Sequence, residues 1–142
     1  MSQAKAKVVQ IKGVTFVGLT DSNHWVPIDG PEQFGGSNAA IRPKELLLIS
    51  LAGCTGSDVA SIMTKMREPY TRLEVHVDAE MSDTHPKVYT KIHLTFKVWG
   101  DGIKEANLKK AIELSSTTYC GVTAMLRNSV EITDSYEINP AE

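Results

Sequence analysis

Apolar and polar residues alternate in short runs over the first thirty positions. Ala6 to Ile11 and Val14 to Leu19 are β-rich and meet at Lys12-Gly13, a two-residue turn. His24 to Asp29 forms a third, weaker run. From Gly30 to Arg42 the periodicity lapses among Pro31, Gly35, Gly36, Ser37 and Asn38. That stretch reads as a long structureless loop, of the kind that is functional or mobile. Pro43 to about Arg67 then carries a helical pattern, with Leu47, Leu51, Thr55, Asp58 and Ile62 on one stripe. Pro43 suits the first helical position and Pro69 ends the helix. Leu46 to Ile49 is apolar on every side of that helix, which calls for cover on a second face and points to a partner subunit.

Thr71 to Met81 alternates cleanly, with Leu73, Val75, Val77, Ala79 and Met81 inward. Val88 to Val98 does the same through Val88, Thr90, Ile92, Leu94, Phe96 and Val98. Ser82 to Pro86 joins the two as a hairpin. Acidic residues on one outer face meet Lys87, Lys91 and Lys97 on the other, as in a solvated sheet. His76 and His93 share those polar faces, and no ligand spacing there supports a metal site. Ile103 to about Ser116 is a second helix. Ser115 to Thr118 is a run of N-cap residues, so a short helix from Tyr119 to Asn128 is expected, with Val122, Met125 and Leu126 inward. Val130 to Ile138 is the last strand. Three strands, a helix, two strands, two helices and a strand make an α+β chain with helices layered on antiparallel sheet.

At 142 residues the chain is expected to form one domain, 1–142. Apolar residues at 42% and charged residues at 23% match globular averages and argue against disorder. A net charge of -2 gives no footing for nucleic acid or an anionic membrane surface. The longest apolar run is the four residues Leu46 to Ile49, so neither a transmembrane segment nor a signal peptide is expected. The opening Met1-Ser-Gln-Ala-Lys5 reads as that of an untargeted cytoplasmic protein.

Two cysteines, Cys54 and Cys120, are too few for a disulfide scaffold or a four-ligand zinc site. In a reducing compartment such a pair points to catalysis or redox sensing. Cys54 sits mid-helix between Gly53 and Gly56, although a helical glycine costs about 1 kcal/mol. Small neighbours would let a backbone or a substrate approach the sulfur; the alternative is an inert buried thiol in close helix packing. Cys120 would fall in the first turn of the short helix if Thr117 or Thr118 caps it, which favours the thiolate. The alternative is again a small core residue.

Arg42-Pro-Lys-Glu-Leu-Leu-Leu-Ile-Ser-Leu-Ala-Gly-Cys54 resembles the first cysteine helix of the OsmC/Ohr family. Tyr119-Cys120-Gly-Val-Thr-Ala-Met-Leu-Arg-Asn-Ser-Val-Glu-Ile132 resembles its second cysteine segment, and the pattern lies nearest the YhfA-like branch. The resemblance implies an OsmC-like fold, with sheets packed on a long central helix in an intertwined homodimer. It implies a thiol peroxidase acting on organic hydroperoxides or hydrogen peroxide, with no cofactor and no metal. In that reading Cys54 is peroxidatic and Cys120 resolving, and a dithiol of the dihydrolipoamide type recycles their disulfide. Family peroxidases place a glutamate directly after the helix-opening proline. Here Lys44 follows Pro43 and Glu45 comes one place later, rotated by about 100°. They also use an arginine from the N-terminal strands, and this chain has no arginine before Arg42. Lys44, about ten residues before Cys54, is about 15 Å away along a helix, too far to contact it. Glu45 so rotated does not simply replace that glutamate; Arg42 and Glu45 are kept as candidate catalytic residues, with Lys12 another source of positive charge. Asp58, one turn after Cys54, would raise the thiol pKa if unpaired. These departures keep two other readings open. One is a redox-sensing or carrier thiol protein; the other is a module binding an apolar ligand.

Overall fold

The computed structural model describes residues 2–142. The chain divides into two compact units, one ending at Leu47 and the other running from Leu48 to Glu142.

The first unit holds β1 (Ala6–Lys12), β2 (Thr15–Thr20) and β3 (Trp25–Ile28) in an antiparallel sheet of order β1-β2-β3. The following stretch is not the structureless loop its composition suggests. A short 3₁₀ turn covers Glu32–Phe34, and the whole segment gathers around Asp29. The Asp29 carboxylate accepts from the backbone N–H of Gly30 (2.8 Å), Ser37 (3.1 Å) and Ala39 (3.0 Å) and from the Thr15 hydroxyl (2.8 Å). Asp29 N–H in turn donates to the Ile41 carbonyl. Gly36 is required here, because an added Cβ would lie 2.0 Å from the Gly30 carbonyl oxygen. Fixed polar bonds, rather than apolar periodicity, order this loop, which is why the hydropathy pattern misses it.

Helix α1 (Glu45–Lys65) begins two residues later than the Pro43 start expected from sequence. Pro43 and Lys44 form a turn ahead of it, with i→i+3 bonds such as Leu46 N–H to the Pro43 carbonyl. Its far end closes with Arg67 in the left-handed region and Glu68 N–H donating to the Met63 carbonyl, a Schellman-type stop before Pro69. The buried stripe is Leu51, Thr55, Val59 and Met63, so Leu47 and Asp58 flank the core instead of lining it. By length and apolarity alone α1 could cross a bilayer. Its Leu51, Val59 and Met63 are instead fully buried core residues of the protein.

In the second unit β4 (Arg72–Met81) pairs antiparallel with β5 (Tyr89–Trp99). The register sets Glu74 against Lys97 and Glu80 against Lys91, the charge pairing expected of the outer face. Strand β6 (Glu131–Asn139) runs parallel to β5, so this sheet is mixed rather than antiparallel throughout. Ile92, Leu94, Phe96 and Val98 of β5 fill the core, whereas Met81 and Val88 at the turn end of the hairpin are about half exposed. Gly56 of α1 has only 3.1 Å from a would-be Cβ to Val75, so a glycine permits the helix to lie this close to the sheet.

Helix α2 (Glu105–Leu114) runs on into a π-helical turn, Ser115–Tyr119. Ser115 to Thr118 thus extend α2 and do not cap the next helix. The Ser116 and Thr117 hydroxyls donate to the Glu113 carbonyl. Helix α3 (Gly121–Leu126) is capped by Cys120 itself, whose sulfur accepts from Thr123 N–H at 3.3 Å. With this later start Val122 and Leu126 pack on the core, and Met125 is exposed.

Candidate active site

All the groups of the site lie between Leu48 and Glu142. Cys54 and Asp58 are four residues apart on α1 and share one face. Cys120 arrives from the junction of the π-turn and α3, placed by its N–H bond to the Ser115 carbonyl (2.8 Å). Such π-turns recur at functional sites because one extra residue re-aims the chain. Cys54 Sγ, Cys120 Sγ and an Asp58 carboxylate oxygen all lie within 4.8 Å of one another. Both cysteines are free thiols; Cys54 is half-buried and Cys120 buried. Gly53 has open space where a side chain would stand, so the chain beside Cys54 is unobstructed.

Burial pushes the Cys54 thiol above its ordinary value. The adjoining Cys120 side chain pushes it up further, and so does the negative charge of Asp58, while the backbone N–H of Val122 pulls the other way. A neutral thiol therefore prevails at neutral pH. The Ser115 hydroxyl donates to Asp58 Oδ2 at 2.9 Å. Ser115 carries no sequence signal as a site residue. Its contact depends on the π-turn, which the hydropathy pattern does not encode. A cavity of about 190 Å³ is lined by Thr55, Phe96, Ser115 and Thr123 among others, and neither sulfur lines it.

A family model described as "OsmC-like protein" matches residues 35–134. The chain belongs to the OsmC-like family. It is 36% identical to Protein YhfA of Escherichia coli K12 over 134 residues, covering 94% of this chain and 97% of that protein. Among solved structures, a hypothetical protein from Aquifex aeolicus VF5 superposes with a TM-score of 0.86 at 27% identity, each chain covered completely. An organic hydroperoxide resistance protein OsmC from Legionella pneumophila shares the fold at a TM-score of 0.70 and 15% identity, with 96% of this chain and 98% of that one covered.

In this OsmC-like chain the two cysteines named from sequence come together, and Asp58 joins them. Arg42 and Glu45 are engaged with each other at the start of α1. Glu45 Oε1 accepts from Arg42 N–H at 2.7 Å, a carboxylate satisfying an unpaired donor at a helix start. The Arg42 guanidinium donates to the Ala40 carbonyl (3.0 Å) and Asn38 Oδ1 (2.7 Å). His93 is held between the Thr133 and Ser135 hydroxyls, and His76 bonds Glu74. Both histidines have sheet-surface partners.

Proposed function

We propose that this protein is a two-cysteine thiol redox protein that reduces organic hydroperoxides or hydrogen peroxide. The observation that carries the reading is the meeting of Cys54 and Cys120, both free, within 4.8 Å. Cys54 is the more accessible sulfur and takes the peroxidatic role. Its thiolate attacks the peroxide O–O bond, one oxygen becomes the Cys54 sulfenic acid and the other leaves as alcohol or water. The Cys120 thiol then displaces water from that sulfenic acid and forms the Cys54–Cys120 disulfide. An external dithiol of the dihydrolipoamide type returns both sulfurs to thiols and is itself oxidised. Family membership and the shared fold of an organic hydroperoxide resistance protein support a redox or stress role.

The raised pKa of Cys54 favours a second reading, a redox-sensing or carrier thiol that reacts slowly. Stopped-flow mixing with cumene hydroperoxide or hydrogen peroxide separates the two. Fast loss of both thiols, restored by dihydrolipoamide but poorly by a monothiol, supports the peroxidase. Loss on the timescale of a free thiol supports the sensor.

We also propose a homodimer. Leu47 and Ile49, near the start of α1, are 44% and 55% exposed, and water contact costs about 25 cal/mol per Å² of apolar surface. Light scattering should return twice the chain mass; a stable monomer at submicromolar concentration would remove the dimer from the reading.

A further inference from the structure

Three groups that ligate metals converge in the unit from Leu48 to Glu142: two thiols and one carboxylate, mutually within 4.8 Å. Counting cysteines alone excludes zinc, because it omits Asp58. Two elements fix the set. Helix α1 supplies Cys54 and Asp58 one turn apart, and the π-turn delivers Cys120. The Ser115 hydroxyl holds Asp58 Oδ2 at 2.9 Å, the outer hydrogen bond that orients a ligating carboxylate.

We propose that Cys54, Cys120 and Asp58 form a binding site for one zinc-class divalent ion per chain, with its fourth position open to water or an exogenous ligand. Two sulfurs and one oxygen select a borderline-soft ion over magnesium or calcium, which take oxygen ligands. Zinc bonds of about 2.3 Å to sulfur and 2.0–2.2 Å to oxygen set tetrahedral ligand atoms about 3.5–3.8 Å apart. From their present separations within 4.8 Å, binding requires side-chain rotations that bring the three atoms that close. Binding is balanced as one ion in and two thiol protons out, leaving two thiolates and one carboxylate on the ion. A sulfur bonded to zinc is not free for the Cys54–Cys120 disulfide, and the disulfide has no thiolate to give. Metal occupancy and oxidation therefore exclude each other, so an ion at this site would hold the pair reduced. Metal binding needs only the reduced sulfurs and no peroxide chemistry.

The test is titration of the reduced protein with Zn²⁺ against a chromophoric chelator, and with Co²⁺ as a spectroscopic probe. One ion per chain, release of about two protons per ion and tetrahedral cobalt bands with thiolate charge transfer are expected. Losing a direct ligand costs no less than losing an outer-shell partner, which costs about 10- to 100-fold in metal affinity, so Asp58→Asn should weaken Zn²⁺ by at least about tenfold. If that variant misfolds by circular dichroism, Ser115→Ala serves instead, with all three ligands kept and a loss of about tenfold expected. Wild-type affinity in a folded Asp58→Asn or Ser115→Ala protein, or an octahedral cobalt spectrum without thiolate bands, would overturn the site. Loss of zinc binding after oxidation to the disulfide supports it; unchanged binding by the oxidised protein overturns it.

Discussion

Asp29 is a buried acid and Cys54 a half-buried one, and their surroundings drive them in opposite directions. Burial raises the Asp29 pKa, yet three backbone N–H groups and the Thr15 hydroxyl outweigh it and bring the carboxyl down from 3.8 to about 2. At Cys54 burial also raises the pKa, but a single backbone N–H opposes it, while Cys120 and Asp58 add to the rise. The first acid is ionised at neutral pH and orders a loop. The second keeps its proton and can respond to what arrives. The difference lies in the number of donors aimed at each group, and it separates an anchor from a reactive site.

The largest effect expected is on the sulfur side. Cys54→Ser should abolish peroxide turnover. Cys120→Ser should react once and leave a sulfenic acid on Cys54 that over-oxidises on further exposure. Mass spectrometry after one equivalent of peroxide reads both. A first oxidation found on Cys120 of the wild-type protein would reverse the two roles.

Next comes the proton on Cys54. Because its thiol is raised above the ordinary 9.0, alkylation by iodoacetamide should climb through pH 9 and show no plateau near neutrality. Asp58→Asn removes one of the causes and should move the curve to lower pH. Burial is the largest cause and stays, so the curve should not fall to neutrality. A plateau below pH 7 in the wild-type protein would mean that a cation stabilises the thiolate and would favour fast peroxidase chemistry.

At Asp29 the pKa shift has the opposite sign. A carboxyl with a lowered folded-state pKa stabilises the fold above its unfolded value, and that contribution fades as pH falls from about 3.8 to about 2. Wild-type stability should therefore drop across this window, and Asp29→Asn should be less stable at pH 7 but flatter below pH 4. Thermal unfolding followed at several pH values checks it. Equal slopes would mean that the loop holds without the charge.

How far each region is legible in the sequence follows from how it is built. Strand β5 alternates by two, and its Ile92, Leu94, Phe96 and Val98 are read directly as core. Cys54 and Cys120 are legible from their motifs. The Asp29 knot is not, because its bonds run to backbone N–H groups that every residue carries. The capping role of Cys120 is hidden too. Four hydroxyl residues precede it and mimic a cap, while in the fold Ser115, Ser116 and Thr117 make bonds elsewhere. Asp58 is visible as a neighbour of Cys54 through its i,i+4 spacing, but its Ser115 partner is 57 residues away and emerges only from the π-turn.

Arg42 decides where the boundary between anchor and reactive site is drawn. Its guanidinium donates to Ala40 and Asn38, in the same segment that Asp29 gathers, and its N–H is capped by Glu45. On those bonds it belongs with the anchor. Arg42→Ala should then cost about 1 kcal/mol of stability, the net worth of a hydrogen bond or two, and leave the alkylation curve of Cys54 where it was. Lys65→Ala, at the far end of α1, should change neither. If Arg42→Ala instead shifts that curve to higher pH and slows reaction with peroxide, the arginine serves the thiolate as well as the loop. The donors acting on Cys54 would then number more than the Val122 N–H, and the contrast with Asp29 would narrow to one of degree.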